Sequence, residues 1–521
     1  MIRCVIALLL ILFAGAVSAR SADLTIGLAV EPDSIDPHVH NFGGNKTLMP
    51  NLFEALTAVD AQDHLIPNLA MSWRLIDDLT WEFTLRPGVT FSDGTPFTAE
   101  DVAFTIDRAL HIPTTVADMA EYIKPIDRVE VVNPTTVRFH TKAPWPLAPE
   151  YLSAIGIVSH TRPNATTADY NSGAAAIGTG PFRLVSWSRG DKIVLARNET
   201  WWRKDHPAWD SVTIRYIKSP ASRLAALLAG DVALIDKLSV QDIGRVKQDP
   251  RFAVASGISD DIVGFVFDMQ ARSSPGITDA GGKPLAVNPL LDRRVREAIS
   301  IGVDRDAIRD RIMNGQSSPD NQYMTRGQYG YDPALPPPRH DPAEARRLLA
   351  EAGYPDGFHL VVRCQNDRFI NDASICQALA QMLTRIGIVT TPDVMPHAVW
   401  VPRVNKHEFS LATYFWTVDT PEPSIMLISQ LATQDASKGR GQFNRGLYSN
   451  PAFDSLLDRA LVTMDRDARE QLMIQATDIA FRDYAVMPLH HQFNTEAMRT
   501  TIHHAPRQDG RVLPADIQPG E

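Results

Sequence analysis

The sequence predicts an α/β protein built from more than one domain, and three observations carry that prediction. Strand-like and helix-like segments alternate along the chain. Its 521 residues exceed what one ordinary hydrophobic core organises. The composition is that of a globular protein, 44% hydrophobic and 21% charged, without a repeat period, a long low-complexity tract or a coiled-coil heptad.

The most legible segment is residues 69–110. Trp81, Phe83 and Leu85 alternate with Glu82, Thr84 and Arg86, the period-two pattern of a half-buried strand. Pro87-Gly88 and Ser92-Asp93-Gly94 are turns. Thr98 is placed as a helix N-cap, with Glu100 and Asp101 in the first turn, where the helix dipole favours negative charge. Val102, Ile106, Ala109 and Leu110 form the apolar face of that helix.

Other elements follow the same logic. Strands are expected at 24–30, 129–132, 137–139, 193–196, 212–216 and 360–363, the second and third joined through Asn133-Pro134. Asp341-Pro342-Ala343-Glu344 supplies a cap, a proline at the first helical position and an acidic third position, and Gly353 closes that segment. Asn450-Pro451 starts a helix with Phe453, Leu456, Leu457, Ala460, Leu461 and Met464 on its apolar side. Leu291, Val295, Ala298 and Ile299 share one face of another, and a short helix from Pro220 ends at Gly230. Loops or turns are expected at Gly178-Thr179-Gly180-Pro181, around Ser273 to Pro289 and at Pro336-Pro337-Pro338.

The first 19 residues have the pattern of a secretion signal. Arg3 gives the positive start, Val5 to Ala14 is an apolar run too short to span a bilayer comfortably, and Val17 and Ala19 suit the −3 and −1 positions. Cleavage is expected after Ala19, with Ala22 the alternative. Cys4 precedes the apolar run, so no lipid anchor is expected. Losing Arg3 takes the formal net charge from −10 to −11, which argues against nucleic acid as a partner. Of the three cysteines, Cys364 and Cys376 remain. An oxidising compartment allows them to pair, and the sequence leaves open whether they do.

Catalytic patterns are missing. There is no HExxH, no GxSxG, and neither a Walker nor a Rossmann glycine pattern around Gly178. His490-His491 and His503-His504 are adjacent pairs, whose members point to opposite faces of an extended segment, and His38-x-His40 is an HxH; a metal site needs converging ligands, and no metal site and no cofactor are expected.

Blocks across nearly the whole mature chain resemble the extracytoplasmic solute-binding proteins of peptide-type ABC importers, family 5. They are LTIGLAVEPDSIDPH, NLFEALT, the 69–110 stretch with its SDG and TAEDVAF, GTGPFRLVSWSRGDKIVLARNETWW, LLDRRVREAISIGVDRDAI, ALAQMLTRIGI and NRGLYSNPAFDSLLDRA, in the family's order. The resemblance implies a periplasmic-binding-protein type II-like fold, two lobes with a hinge plus an inserted domain. Carried onto this chain, the first lobe takes 20–57, 175–262 and 478–521, the insert 58–174 and the opposing lobe 263–477.

It also implies a receptor rather than an enzyme. The expected compartment is the periplasm of a Gram-negative bacterium. The expected partners are a small solute and a permease dimer with cytoplasmic ATPases, the receptor itself being monomeric. The solute is expected to be a short peptide or a related zwitterion. An opine, glutathione, a sugar or a nickel chelate are alternatives within the same transport class, and a secreted enzyme or a non-transport interaction protein lies outside it.

Phe415-Trp416-Thr417-Val418-Asp419 resembles the family segment that lines the ligand cavity, although Phe415 stands where glycine is common. Asp419 is expected to hold a free ammonium group and Trp416 to form an aromatic wall. Arg363, Arg368 and Arg445 are candidates for a carboxylate, because a guanidinium pairs with it in bidentate fashion. Asn444, Asn41 and Phe42 complete the candidate lining.

Overall fold

The computed structural model describes residues 22–40, 43–112, 119–270, 273–418 and 420–520. The leader lies outside them, as do Asn41, Phe42 and Asp419. No helix among the described residues is long and apolar enough to cross a membrane.

The expected strands and helices form, with ends shifted by a few residues. Asn133-Pro134 turns the chain between Ile126–Asn133 and Thr136–Thr141, which pair antiparallel. The cap at Thr98 opens the helix Ala99–His111, and the Thr98 N–H donates to the Asp101 carboxylate at 2.8 Å. Asp341 and Asn450 accept backbone N–H groups at the starts of Pro342–Glu351 and Pro451–Ala460. Two expectations need correction. Leu291 belongs to a 3-10 turn before the helix Arg293–Ile301 and is exposed, while Val295, Ala298 and Ile299 are buried. Glu82, expected on a solvent face, is buried because Thr80–Leu85 is a central strand. Arg74 and Arg138 on its two neighbours clamp the carboxylate at 2.6 and 2.9 Å.

That strand belongs to a four-stranded antiparallel sheet of Ala70–Asp77, Thr80–Leu85, Thr136–Thr141 and Ile126–Asn133, in that spatial order. Phe83, Phe139 and Val137 pack beneath Val102 and Ile106 of Ala99–His111.

The rest of the chain is organised on one 12-stranded sheet. At its centre run two long antiparallel strands, Phe252–Phe267 and Val486–Arg499. Their first stretch pairs Phe252 with Arg499 through Ile258 with Phe493. The ladder then breaks, and resumes at Ile262 with His491. The Phe252 end adjoins Leu234–Ile235, Asp23–Leu28, Ser211–Tyr216, Lys192–Arg197 and Phe182–Ser188. The Phe267 end adjoins Leu411–Thr417, Phe358–Gln365 and Ile388–Met395. Each half has its own core. Leu24, Ile26, Phe182, Leu195 and Ile214 build the first. Val295, Ile299, Leu360 and Leu379 cover one face of the second, and Trp400, Phe453, Met473 and Phe481 the other.

This arrangement moves one expected boundary. Arg466–Arg482 buries Leu472, Met473, Ala476 and Ala480 in the opposing half, against Phe453 and Leu457. The chain therefore stays there past residue 477 and recrosses inside Val486–Arg499.

The sequence blocks meet one another in space. Asp36 receives two guanidinium bonds from Arg108, at 2.9 and 2.6 Å, and Arg108 also donates to His38 Nδ1 at 2.7 Å. Glu54 of NLFEALT accepts from the indoles of Trp202 at 2.7 Å and Trp201 at 3.4 Å. Burial pushes its carboxyl up to about 7. A Cβ on Gly178 would sit 1.9 Å from the Leu52 carbonyl oxygen, so the GTGP glycines serve close backbone approach. His490 and His491 are buried in the long strand, and burial lowers them to about 3 and about 4, which keeps both neutral. Among the described residues no group of His, Cys, Asp and Glu is placed to hold a metal ion.

Beside the break in the ladder lies a buried acid cluster. Asp260 takes a bond from Gln328 Nε2 at 2.9 Å, and its N–H donates to the Gln508 carbonyl at 3.1 Å. Burial, and then repulsion from Asp63 and Asp509, hold the Asp260 carboxyl well above its usual range. Burial and Asp509 push Asp63 up to about 6. Burial also opposes ionisation of Asp509, but Arg511 and Arg507 outweigh it and keep Asp509 low.

Cys364 and Cys376 are joined in a disulfide, with Cα atoms 6.3 Å apart, between the strand Phe358–Gln365 and the helix Asp372–Arg385. Peptide mapping of the mature protein should find both alkylated only after reduction. A second expectation concerns pH. The folded chain holds protons on Asp63 and Asp260 that the unfolded chain releases near pH 4, so stability falls as pH rises from about 4 through about 6. Asp260→Asn should flatten that slope and raise Tm at pH 7.5 by roughly 1–3 °C, read from melts between pH 4.5 and 8.

Candidate functional site

Topology places a crevice between the two halves. Phe358–Gln365, Ile388–Met395 and Leu411–Thr417 run parallel, so their carboxyl ends lie on one side. Asp23–Leu28, Ser211–Tyr216 and Leu234–Ile235 do the same in the first half. Ligands of open α/β sheets bind outside such carboxyl ends. The segments leaving them here carry Arg368 and Phe369, His397, Trp416 and Thr417, and across the crevice Lys237.

Trp416 is half-buried on Leu411–Thr417, opposite Ile262 in the long strand. Its ring meets Phe443 edge-on, with centroids 5.3 Å apart, and its indole N–H is buried without an acceptor. Phe415 occupies the regular strand position opposite Val263. Its ring stacks parallel on Phe369 at 6.0 Å, and the Arg368 guanidinium lies 4.8 Å from its centroid.

The candidate arginines separate. Arg363 is enclosed beside Asp393, with its Nη2 3.4 Å from that carboxylate and Glu408 4.0 Å from its Nη1. It belongs to a network with Arg403 beneath Trp400, whose indole N–H points at the Arg363 carbonyl. Arg368 is exposed and, among the described residues, has no carboxylate within 4 Å. Arg445 is half-buried, with its guanidinium 5.2 Å from Trp400 and 5.6 Å from Phe443, and its Nε donates to Asn405 at 3.0 Å.

Asn444 does not fit the expected lining. Its amide donates to the carbonyls of Ala432 and Tyr448 at 2.9 and 2.8 Å, and its oxygen accepts the Tyr448 N–H. It staples a loop, and both of its N–H donors are used there.

Other residues at the crevice had no clear sequence signal. Asp261 accepts the Thr417 hydroxyl at 2.5 Å. Burial pushes its carboxyl up, and Thr417, Lys237, Arg368 and Lys46 pull it back. Lys46 and Lys237 come from the first half, so charge is matched across the gap. His397 stacks on Trp400 at 6.1 Å and holds Gln365 Oε1 through Nδ1 at 2.6 Å. Such residues sit in loops, where periodicity is silent. A cavity of about 440 Å³ is lined by Lys46, Met49 and Phe53 together with Trp201, Arg203 and His504.

Residues 64–438 match the family "Bacterial extracellular solute-binding proteins, family 5 Middle". The chain belongs to that family. It is a solute-binding receptor of an ABC importer, and the family consists of binding proteins rather than enzymes. The chain is 27% identical over 472 residues to the glutathione-binding protein GsiB of Pectobacterium atrosepticum, covering 89% of this chain and 87% of the relative. Among solved structures, the ABC transporter substrate-binding protein CtaP of Listeria monocytogenes superposes with a TM-score of 0.82 at 20% identity, over 96% of this chain and all of that one. The periplasmic binding protein DppA of Helicobacter pylori, in complex with the peptide STSA, does so with a TM-score of 0.70 at 22% identity, over 96% and 99%. The fold is that of the type II periplasmic binding proteins of this family.

Proposed function

We propose that the receptor works in the periplasm of a Gram-negative bacterium, reached through the leader at 1–19, and delivers a short peptide or a peptide-like zwitterion to a permease dimer driven by cytoplasmic ATPases. The solute lies between the lobes, which close on it as a monomer by bending where Phe252–Phe267 and Val486–Arg499 lose register. The observation that carries the solute class is the composition of the crevice wall. It combines half-buried aromatics, an indole N–H without an acceptor at Trp416 and an arginine without an acid at 368. A carboxylate-bearing, partly apolar solute supplies what these groups lack.

In this reading Asp419 receives the solute's ammonium group, Trp416 walls its body and Arg368 takes its terminal carboxylate. The first lobe adds Asn41 and Phe42. The relative named for glutathione, itself a γ-glutamyl tripeptide, supports a peptide-like solute, as does the STSA complex of the structural neighbour.

A thermal-shift screen of di- to pentapeptides, glutathione, opines, sugars and nickel chelates tests this. A peptide at about 100 times its Kd should stabilise the fold by about 2.7 kcal/mol. Stabilisation by a sugar or a metal chelate alone, with no peptide active, overturns the peptide assignment. Asp419→Ala should weaken a free-amino peptide at least about tenfold by calorimetry, the loss of one charged hydrogen bond. An unchanged Kd rejects the ammonium role.

A further inference from the structure

Arg445, like Arg86 and Arg203, is a half-buried arginine on an indole face with no carboxylate within 4 Å among the described residues; Arg86 and Arg203 bond to Asn68, whereas Arg445 is set beside His397. Arg108, Arg223, Arg296, Arg469 and Arg507 each have a carboxylate within 4 Å. Arg305 has no acid but donates to the carbonyls of Pro488 and Ser300 and to the Ser300 hydroxyl. Arg445 has neither arrangement. One of its five donors is used, on the neutral amide of Asn405, and the terminal nitrogens have no hydrogen-bond partner among the described residues. The faces of Trp400 and Phe443 hold the guanidinium in place and strip part of its water. Burial lowers its pKa with no anion to counter it.

The surroundings repeat the pattern. His397, stacked on Trp400, feels both Arg368 and Arg445, which with burial hold its imidazole below the usual range. The carboxylate of Asp261 is already engaged by Thr417. This wall therefore presents two guanidinium groups with no carboxylate within 4 Å among the described residues, separated by the imidazole of His397, whose backbone N–H donates to the Asp367 carboxylate at 2.7 Å, and floored by aromatic rings. One terminal carboxylate of a peptide satisfies one of them. The other is free to take an anion of its own.

We infer that Arg445, flanked by His397, Trp400 and Phe443, is a second acid-binding subsite, and that the transported solute carries two carboxylates, one at its end and one on a side chain. This rests on the peptide reading above and narrows it to acidic peptides.

Isothermal titration of the mature protein with Glu-Ala-Ala, Ala-Glu-Ala and their glutamine counterparts tests the inference, since each pair differs by one charge. At least one glutamate peptide should bind about tenfold or more tightly than its glutamine partner, the scale of one charge-assisted hydrogen bond. Arg445→Met keeps a chain of similar length against Trp400 and should shrink that ratio below about threefold while leaving the glutamine peptide nearly unchanged. Arg445→Lys retains the charge without the fork. It should give an intermediate ratio, and it serves the same comparison if the methionine variant melts early. Equal affinity within every pair, or a loss in Arg445→Met that is the same for both members, overturns the subsite. If none of the four peptides binds, the peptide reading itself fails and the subsite falls with it.

Discussion

The structure depends on two antiparallel strands that run through both lobes. Phe252–Phe267 and Val486–Arg499 are hydrogen-bonded to each other along both halves of the large sheet. The lobes are thus continuous through backbone ladders, which break between Ile258 and Ile262. Residues at that break face two ways. Asp261 turns toward the crevice and meets Thr417. Its neighbour Asp260 turns toward Gln328 and the acid cluster with Asp63 and Asp509.

Around this axis, charges split into two classes. Those that hold the scaffold are matched. Arg108 grips Asp36, Arg74 and Arg138 enclose Glu82, and Glu54 is capped by two indoles. Removing Arg108 strands the buried Asp36 carboxylate, at a cost of about 3–5 kcal/mol, so this pair fixes how its segments dock. The charges at the crevice are different. Arg368 and Arg445 rest on aromatic faces with no carboxylate within 4 Å among the described residues.

Much of the framework was legible in the chain itself. Period-two and helical patterning located most elements, because burial on one face leaves a regular trace in the sequence. Caps such as Asp341 and Asn450 worked as read, since capping is local. Readings that depended on neighbours in space went differently. Glu82 looked solvent-facing because nothing in its own strand reveals the two arginines that cover it. Asn444 looked like a binding amide because its targets, Ala432 and Tyr448, are set by a loop fold. The boundary at 477 fell inside a helix because that helix completes a core begun at Phe453.

The sequence by itself determined the family, the α/β alternation, and the region around Trp416 as the place to look. These rest on local patterns and on the order of blocks, which survive without coordinates. Only the tertiary structure separated the surroundings of the three arginines. Arg363, Arg368 and Arg445 carry the same group, and their sequence contexts do not rank them. Asp393 and Glu408 reach Arg363 across a parallel strand pair and a helix, whereas Trp400 and Phe443 bring only ring faces to Arg445. A guanidinium's availability is set by what lies within 4 Å of it in space, and that distance is a property of the fold.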